Sequence, residues 1–424
     1  MVLNDIIFEK TNGGMGRPAA NEDIISGLIM ALDGDLAGRF FEQEEDETQD
    51  KVFETIGEGN DLLYVARLNY YEQLSMKYGI KAKELTEEEK EDGEILELPD
   101  FARNTIDYHV REFFRMSPTG ILYLAIRLTD EVIDEDIKGL QYYAGGLLRQ
   151  VGILTKTITE GECEKYQTAC NKLFNEHQPL SVIVAYGGAD VDDKPIVKLN
   201  DLTGTNSLVD DFSNISVLVS CDLNPELKER LGNFFYYGCI GTALGAISKA
   251  AVHECIAWVQ KFPLKLKEPG FISGELLKNV PMGELENING NRYIFVRTHV
   301  GNANNYFNDS HTLDALTSDY AYIENMRTMD KATRGIRKNL LPYLNAPLYV
   351  DSSGNLRPDM VAFLETTAGR ALEDMEKDGE LSGYSVSIDP TDILRTSELK
   401  VLIKKLPVGV MRMVRIKIGY TTSL

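Results

Sequence analysis

Reactive residues are sparse in this 424-residue chain, and no motif gathers them into a centre. It has one tryptophan, five histidines and five cysteines. The cysteines (Cys163, Cys170, Cys221, Cys239 and Cys255) are odd in number, widely spread and include no CxxC pair. That spacing argues against a zinc ribbon or a disulfide framework, and it reads as small buried hydrophobes in a reducing compartment. His253 and Cys255 stand two residues apart on an expected helix, where their side chains diverge. His109, His177, His253, His299 and His311 are scattered, with neither HExxH nor a GxSxG elbow. A GxxxxGK[ST] phosphate loop is missing. Gly187-Gly188-Ala189-Asp190 follows an expected strand but lacks GxGxxG spacing and reads as a loop turn. Asp190, Asp192 and Asp193 read as solvated loop carboxylates. No catalytic residue, metal site or cofactor is expected.

Positive charge is also short. Against 66 Asp and Glu there are 44 Lys and Arg, a net charge of −22. Such a chain repels phosphate backbones, which excludes a general nucleic-acid partner. Long apolar runs are lacking as well. The stretch from Gly238 to Val259 contains Lys249, His253 and Glu254, so it reads as one long buried helix of small residues, from about Phe234 to Gln260, and not as a membrane span. The first ten residues have no basic segment followed by an apolar run, so no signal peptide is expected and synthesis is assigned to the cytoplasm.

Hydrophobic residues make up 43% of the chain and aromatics 9%, an ordinary globular composition. Residues 1–28 read as an N-terminal arm and hinge. Val2, Leu3, Ile6, Ile7 and Phe8 fit a short strand, and Gly13, Gly14, Gly16 and Pro18 prevent regular structure behind it. Residues 29–115 form an outer segment with two acidic surface stretches, Phe41 to Asp61 and Glu84 to Asp100, without EF-hand spacing.

Residues 116–262 alternate apolar runs with helical spacing. Strands are expected at Ile121–Ile126, Val151–Lys156, Leu180–Ala185 and Ile215–Val219, with helices at residues 134–149 and Glu160–Phe174. Pro225 opens another helix, with Asn224 as its N-cap. Unbroken apolar strands separated by helices imply an α/β domain with a largely parallel sheet covered on both faces.

Residues 263–317 are connecting strands and a loop, including Arg292–Arg297. Residues 318–424 form a C-terminal α+β core domain. Ser318 is expected to cap an amphipathic helix, and Pro358 to open a second that stops near Gly379. Strands follow at Tyr384–Ile388, Leu399–Leu406 and Val408–Tyr420. Along the last, Val408, Val410, Val414, Ile416, Ile418 and Tyr420 share one face, with Arg412 as the lone charge among them. Such a strand either lies inside its own sheet or is used by a neighbouring subunit through strand addition.

Several segments resemble phage tail sheath proteins of the simple, Mu-like type, a family that extends to tailocins and contractile injection systems. They are Gly290-Asn-Arg-Tyr-Ile-Phe-Val-Arg-Thr-His-Val-Gly301, Tyr306-Phe-Asn-Asp309, Ser318-Asp-Tyr320, Arg327-Thr-Met-Asp-Lys-Ala332, Leu348-Tyr-Val-Asp351, Gly379-Glu-Leu-Ser-Gly383, Ile388-Asp-Pro390 and Pro407-Val-Gly409. Asp23-Ile-Ile-Ser-Gly27 adds to them near the N-terminus. The middle of many sheaths is subtilisin-like in fold, and this chain shows no Asp/His/Ser triad there, as expected of a scaffold.

The resemblance implies a structural subunit, not an enzyme. It would stack as hexameric rings around an inner tail tube and contract to drive that tube through an envelope. Its partners would be itself, the tube protein, and baseplate and tail terminator proteins, in a phage tail or phage-like particle made in a bacterial host. Both chain ends would be inter-subunit arms, with Val410, Val414, Ile416, Ile418 and Tyr420 in the C-terminal one.

Arg327, Lys331, Arg334 and Lys338 recur at helical spacing as a basic stripe. Residues 395–424 carry seven Lys and Arg against one Glu. These, with Lys400 and Lys404, are the candidates to face an acidic tube. An α/β enzyme with an unrecognised site, or a tube or baseplate subunit, are the alternative readings. The enzyme reading expects a pocket at the carboxyl ends of the middle strands.

Overall fold

The computed structural model describes residues 22–32, 54–57, 62–70, 98–129, 131–204 and 208–421. At its centre lies a seven-stranded sheet. Its strands are β1 (Ile25–Ala31), β2 (Glu54–Ile56), β3 (Leu63–Leu68), β4 (Ile121–Arg127), β5 (Gln150–Thr155), β6 (Ser181–Tyr186) and β7 (Ile215–Leu218). Their order is β2-β3-β4-β1-β5-β6-β7. From β4 through β7 every pairing is parallel, and β3 and β2 add antiparallel at one edge. Each of β1, β5, β6 and β7 is buried at every position, which is why they read as continuous apolar runs without alternation.

Helices α1 (Leu98–Met116), α2 (Asp134–Tyr143), α3 (Glu160–Asn175), α4 (Leu199–Thr203), α5 (Pro225–Leu231) and α6 (Ile240–Lys249) belong to this body. The caps follow from local chemistry. Thr159 and Glu162 close a capping box at the start of α3, and the Asn224 side chain accepts from the Glu226 N–H ahead of α5, with Pro225 in its first turn.

The structure corrects several expectations. The arm and hinge expected over residues 1–28 overlaps β1, which pairs with β4 on one side and β5 on the other. Its Leu28, Ile29 and Met30 are fully buried, so this segment is core. The long helix expected from Phe234 to Gln260 is only the ten residues of α6. Its glycines serve a close crossing with α1: a Cβ on Gly241 would lie 2.1 Å from the His109 carbonyl oxygen, and one on Gly245 2.6 Å from that of Phe113. Beyond Lys249 the chain turns, because Ala250 is extended and the Ala251 N–H is taken by the Glu254 carboxylate.

The connecting region holds β8 (Ser220–Asp222) paired with β9 (Pro269–Phe271), α7 (Met282–Gly290), and the antiparallel pair β10 (Val296–Thr298) and β11 (Asn305–Phe307). The C-terminal domain is built from α8 (Ile323–Leu340), α9 (Pro358–Lys377), β12 (Leu381–Asp389), the short α10 (Ile393–Thr396) and β13 (Lys400–Pro407). β12 and β13 form an antiparallel hairpin with Val386 opposite Ile403 and Ile388 opposite Val401. That face packs on α8 and α9 through Ile336, Leu364, Leu372 and Met375. Gly379, just past the end of α9, has φ +76°, a conformation that favours glycine.

Ser318 does not cap α8, which starts five residues later after an extended Tyr322. The Ser318 hydroxyl instead donates to Asp314 at 2.6 Å. The third expected strand is also absent from the described residues: 408–421 join no β-ladder.

Candidate assembly interface

Beyond β13 the chain leaves an exposed ribbon. Residues 411–421 are all exposed, with Ile416 at 79% and Ile418 at 95% of full accessibility. An apolar alternation with no sheet beneath it is a surface left without a partner in the described residues. Next to it, among the described residues each strand of the β12–β13 hairpin has only the other as a neighbour. Its outer face carries exposed Leu402, Lys404 and Leu406. The β13 edge therefore has no described strand beside it and could take an added one, whereas in β12 the Ile388 N–H already donates to Glu365 Oε1 at 3.0 Å.

One residue ties the ribbon to the body. Arg412 Nε donates to both carboxylate oxygens of Asp309 at 3.0 Å, and its Nη2 donates to Glu324 Oε1 at 2.5 Å. Nη2 also lies 3.4 Å from the Ser310 hydroxyl. The guanidinium carbon stands 3.5 Å from the centre of the Tyr322 ring. Arg292, whose guanidinium donates to the carbonyls of Thr312 and Ala321, stacks on the same ring at 5.0 Å.

The pocket is dry. The Glu324 side chain is 4% exposed and accepts from the Ser310 hydroxyl at 2.5 Å. Burial raises the Glu324 carboxyl, while Arg412 and Ser310 pull it back. Burial would lower the Arg412 guanidinium, but Asp309 and Glu324 together hold it above its ordinary value. Cys255 lies 3.4 Å from the Ser310 hydroxyl, its thiol pushed up to about 12 by burial, so it stays protonated.

A second set of charges lies in the middle of α8. Asp23, just before β1, accepts from Lys331 Nζ at 2.9 Å and Arg334 Nη2 at 3.1 Å. Lys331 also donates to Glu380 at the start of β12, at 2.6 Å. Burial opposes ionisation of Asp23, but Lys331, Arg327 and Arg334 outweigh it and hold the carboxyl below its usual range. On the same helix Asp330 is buried, and burial pushes its carboxyl up to about 7 against the pull of Arg334, Lys405 and Arg149.

The expected basic stripe is therefore corrected. Arg327 is 4% exposed and donates to the carbonyls of Ala250 and Ala251. Lys331 and Arg334 are spent on Asp23 and Glu380. These three charges join the C-terminal domain to the α/β body, because helical spacing says which residues share a face and not what that face meets. Lys338, Lys400 and Lys404 are exposed.

Val414, Ile416, Ile418 and Tyr420 lie in the ribbon, and Val410 is half-buried at its root. Val2, Leu3, Ile6, Ile7, Phe8, Gly13, Gly14 and Gly16 lie outside the described residues. Reading the sequence missed the receptor for Arg412 and the role of Asp23. The available signal was Arg412 itself, a single charge on an otherwise apolar face.

Cavities of about 280 and 350 Å³ lie by α7 and β10 and by β2 and α2, away from the carboxyl ends of β5 and β6. Among the described residues no group of three or more His, Cys, Asp or Glu could hold a metal ion, and no helix is long and apolar enough to cross a membrane.

Two family models match the chain in order: the N-terminal domain of DUF2586 over residues 150–311 and the C-terminal domain of DUF2586 over residues 319–424. The fold is similar to that in a cryo-EM structure of the anti-feeding prophage helical sheath in its contracted state, with a TM-score of 0.54 at 14% identity over 99% of both chains. The chain has a sheath-subunit fold. This sheath fold is also found in a six-fold symmetrised cryo-EM structure of the anti-feeding prophage baseplate, with a TM-score of 0.53 at 13% identity, covering 100% of this chain and 99% of that one. No curated protein sequence matches the chain. In this chain the seven-stranded sheet is the body, and the β12–β13 hairpin packs on the α8–α9 layer.

Proposed function

We propose that this chain is a structural sheath subunit that polymerises as stacked hexameric rings around an inner tube and contracts without catalysing a reaction. The observation that carries this reading is the exposed apolar ribbon beside a two-stranded hairpin, on a fold shared end to end with a helical sheath. A donated strand making about six backbone hydrogen bonds, at roughly 0.5–1.5 kcal/mol net each, gives a link that holds while weaker lateral contacts rearrange. Residues 1–16 would supply a second donated segment. Contraction is then a passage from a metastable extended lattice to a denser one, driven by contacts already stored in the polymer.

Lys338, Lys400 and Lys404 are the remaining candidates to face an acidic tube. Exposed lysines suit a grip that must let go, because exposed ion pairs are individually weak and screened by salt. The subunit would meet baseplate and tail terminator proteins at the two ends of the polymer, in a phage tail or phage-like particle assembled in a bacterial cytoplasm.

Electron microscopy of the purified full chain tests the reading. Long cylinders of regular diameter are expected. Discrete monomers at high concentration would overturn it. Closed single rings would favour a second reading, a baseplate-ring subunit, which the similarity to a baseplate structure motivates.

A further inference from the structure

We infer that the pocket of Asp309, Ser310, Tyr322 and Glu324 is a dock for Arg412 that fixes where the C-terminal arm leaves its own subunit, so that residues 413–424 alone are donated to a neighbour. This inference rests on the proposed function, and it adds the register of the donated strand. The pocket is built for a guanidinium. Two carboxylates take its Nε and Nη2 edges, a hydroxyl stands by, and an aromatic ring covers its face. That match of planar fork to carboxylates and ring is one a lysine ammonium cannot reproduce.

The dock matters because of strand arithmetic. β13 ends at Pro407. Without the dock the arm would start there, adding five residues and about 16 Å of slack at roughly 3.3 Å per residue. A donated strand with slack can slip, and a slip of one residue turns Val414, Ile416 and Ile418 from one face of the receiving sheet to the other. Pinning Arg412 removes that freedom before the neighbour arrives. Arg412 belongs to the same alternating face as those residues, so the dock also sets which face is offered.

The sequence itself provides the probe, since Arg412, Arg415 and Lys417 are all trypsin sites. With the full-length protein under limited digestion, cleavage after Arg415 and Lys417 is expected to outpace cleavage after Arg412 by at least tenfold. The double variant Asp309→Asn with Glu324→Gln is expected to bring the three rates together. Equal rates in the unaltered chain would overturn the dock.

Assembly is read separately. Arg412→Ala is expected to cut the yield of regular cylinders at least tenfold, with Arg412→Lys intermediate. Regular cylinders at the unaltered yield would overturn the register role and leave the sheath reading standing. Failure of the unaltered chain to form cylinders would defeat the sheath reading, while the digestion would still report on the dock. Should Arg412→Ala be poorly soluble, Asp309→Asn keeps the Glu324 pair and gives the same reading with a smaller loss of cylinders.

Discussion

Asp23 and Arg334, 311 residues apart in the chain, meet at 3.1 Å. Lys331 completes the contact at 2.9 Å and reaches on to Glu380. One carboxylate at the entrance to β1 thus fastens the α/β body to the helix that also holds Arg412 through Glu324. The roots of both chain ends are tied to α8.

Asp23→Asn is expected to destabilise the protein by about 1–3 kcal/mol, the range for a buried carboxylate that loses its charge and leaves two half-buried cations behind. The folded-state carboxyl lies below its reference value of 3.8. Its contribution is therefore present above about pH 4 and is lost as pH falls through the lower folded value. Denaturant melts at pH 7 and pH 3 should show a gap between variant and parent that narrows towards the acid end. A gap of equal size at both would rule out the ion pair as its source.

Gly241→Ala is expected to cost about 1–3 kcal/mol or more, since the added methyl would lie 2.1 Å from the His109 carbonyl oxygen and the two helices must move apart. Gly283→Ala, on α7 with open space at the same position, should cost far less. Thermal melts of the pair decide it. Similar losses in the two would mean that the close crossing of α1 and α6 is not the cause.

Asp330→Asn is expected to stabilise the protein at pH 8. In the fold the carboxyl is pushed up to about 7 by burial, against a reference of 3.8, so the folded state holds a proton that the unfolded chain has released over that window. Stability contributed by this group is present below about pH 4, declines as pH rises towards 7 and is gone above it. The melting temperature of the variant should exceed that of the parent at pH 8, with the difference shrinking by pH 5. A constant difference across that range would contradict the assignment.

Ile416→Ser together with Ile418→Ser should leave the melting temperature of the unassembled protein within the small range typical of surface changes, because both side chains are largely exposed. The same pair should abolish regular cylinders. Loss of stability without loss of assembly would mean that the ribbon serves its own fold and not a neighbour's.

Local chemistry was legible at most places where neighbours in sequence decide the outcome, the Ser318 cap being the exception. The continuous apolar runs of β4 to β7, the Asn224–Pro225 helix start, and the hairpin opposite α9 follow from periodicity and capping, which need only a few adjacent residues. The C-terminal ribbon was recognised as alternating, and the alternation is real. What its alternation could not supply is a partner, since pairing is a property of two strands and the second is not among the described residues of this chain.

The misjudged elements share one physical cause. Gly241 and Gly245 suit many long small-residue helices, and only the approach of the His109 and Phe113 carbonyls explains why they are small. Arg327, Lys331 and Arg334 share a face by spacing, yet whether a charged face meets water or another domain depends on what the fold places against it.

The sequence by itself determined the parallel α/β body, the two long C-terminal helices and an apolar terminal segment unfit for water, because backbone propensity and side-chain period act over a few residues. Only the tertiary structure decided that β1 is core, that α8 turns its cations inward onto Asp23, and that Glu324 receives Arg412. Those outcomes join residues tens to hundreds of positions apart, and burial, which sets the strength of a charge pair, exists only once the chain has folded.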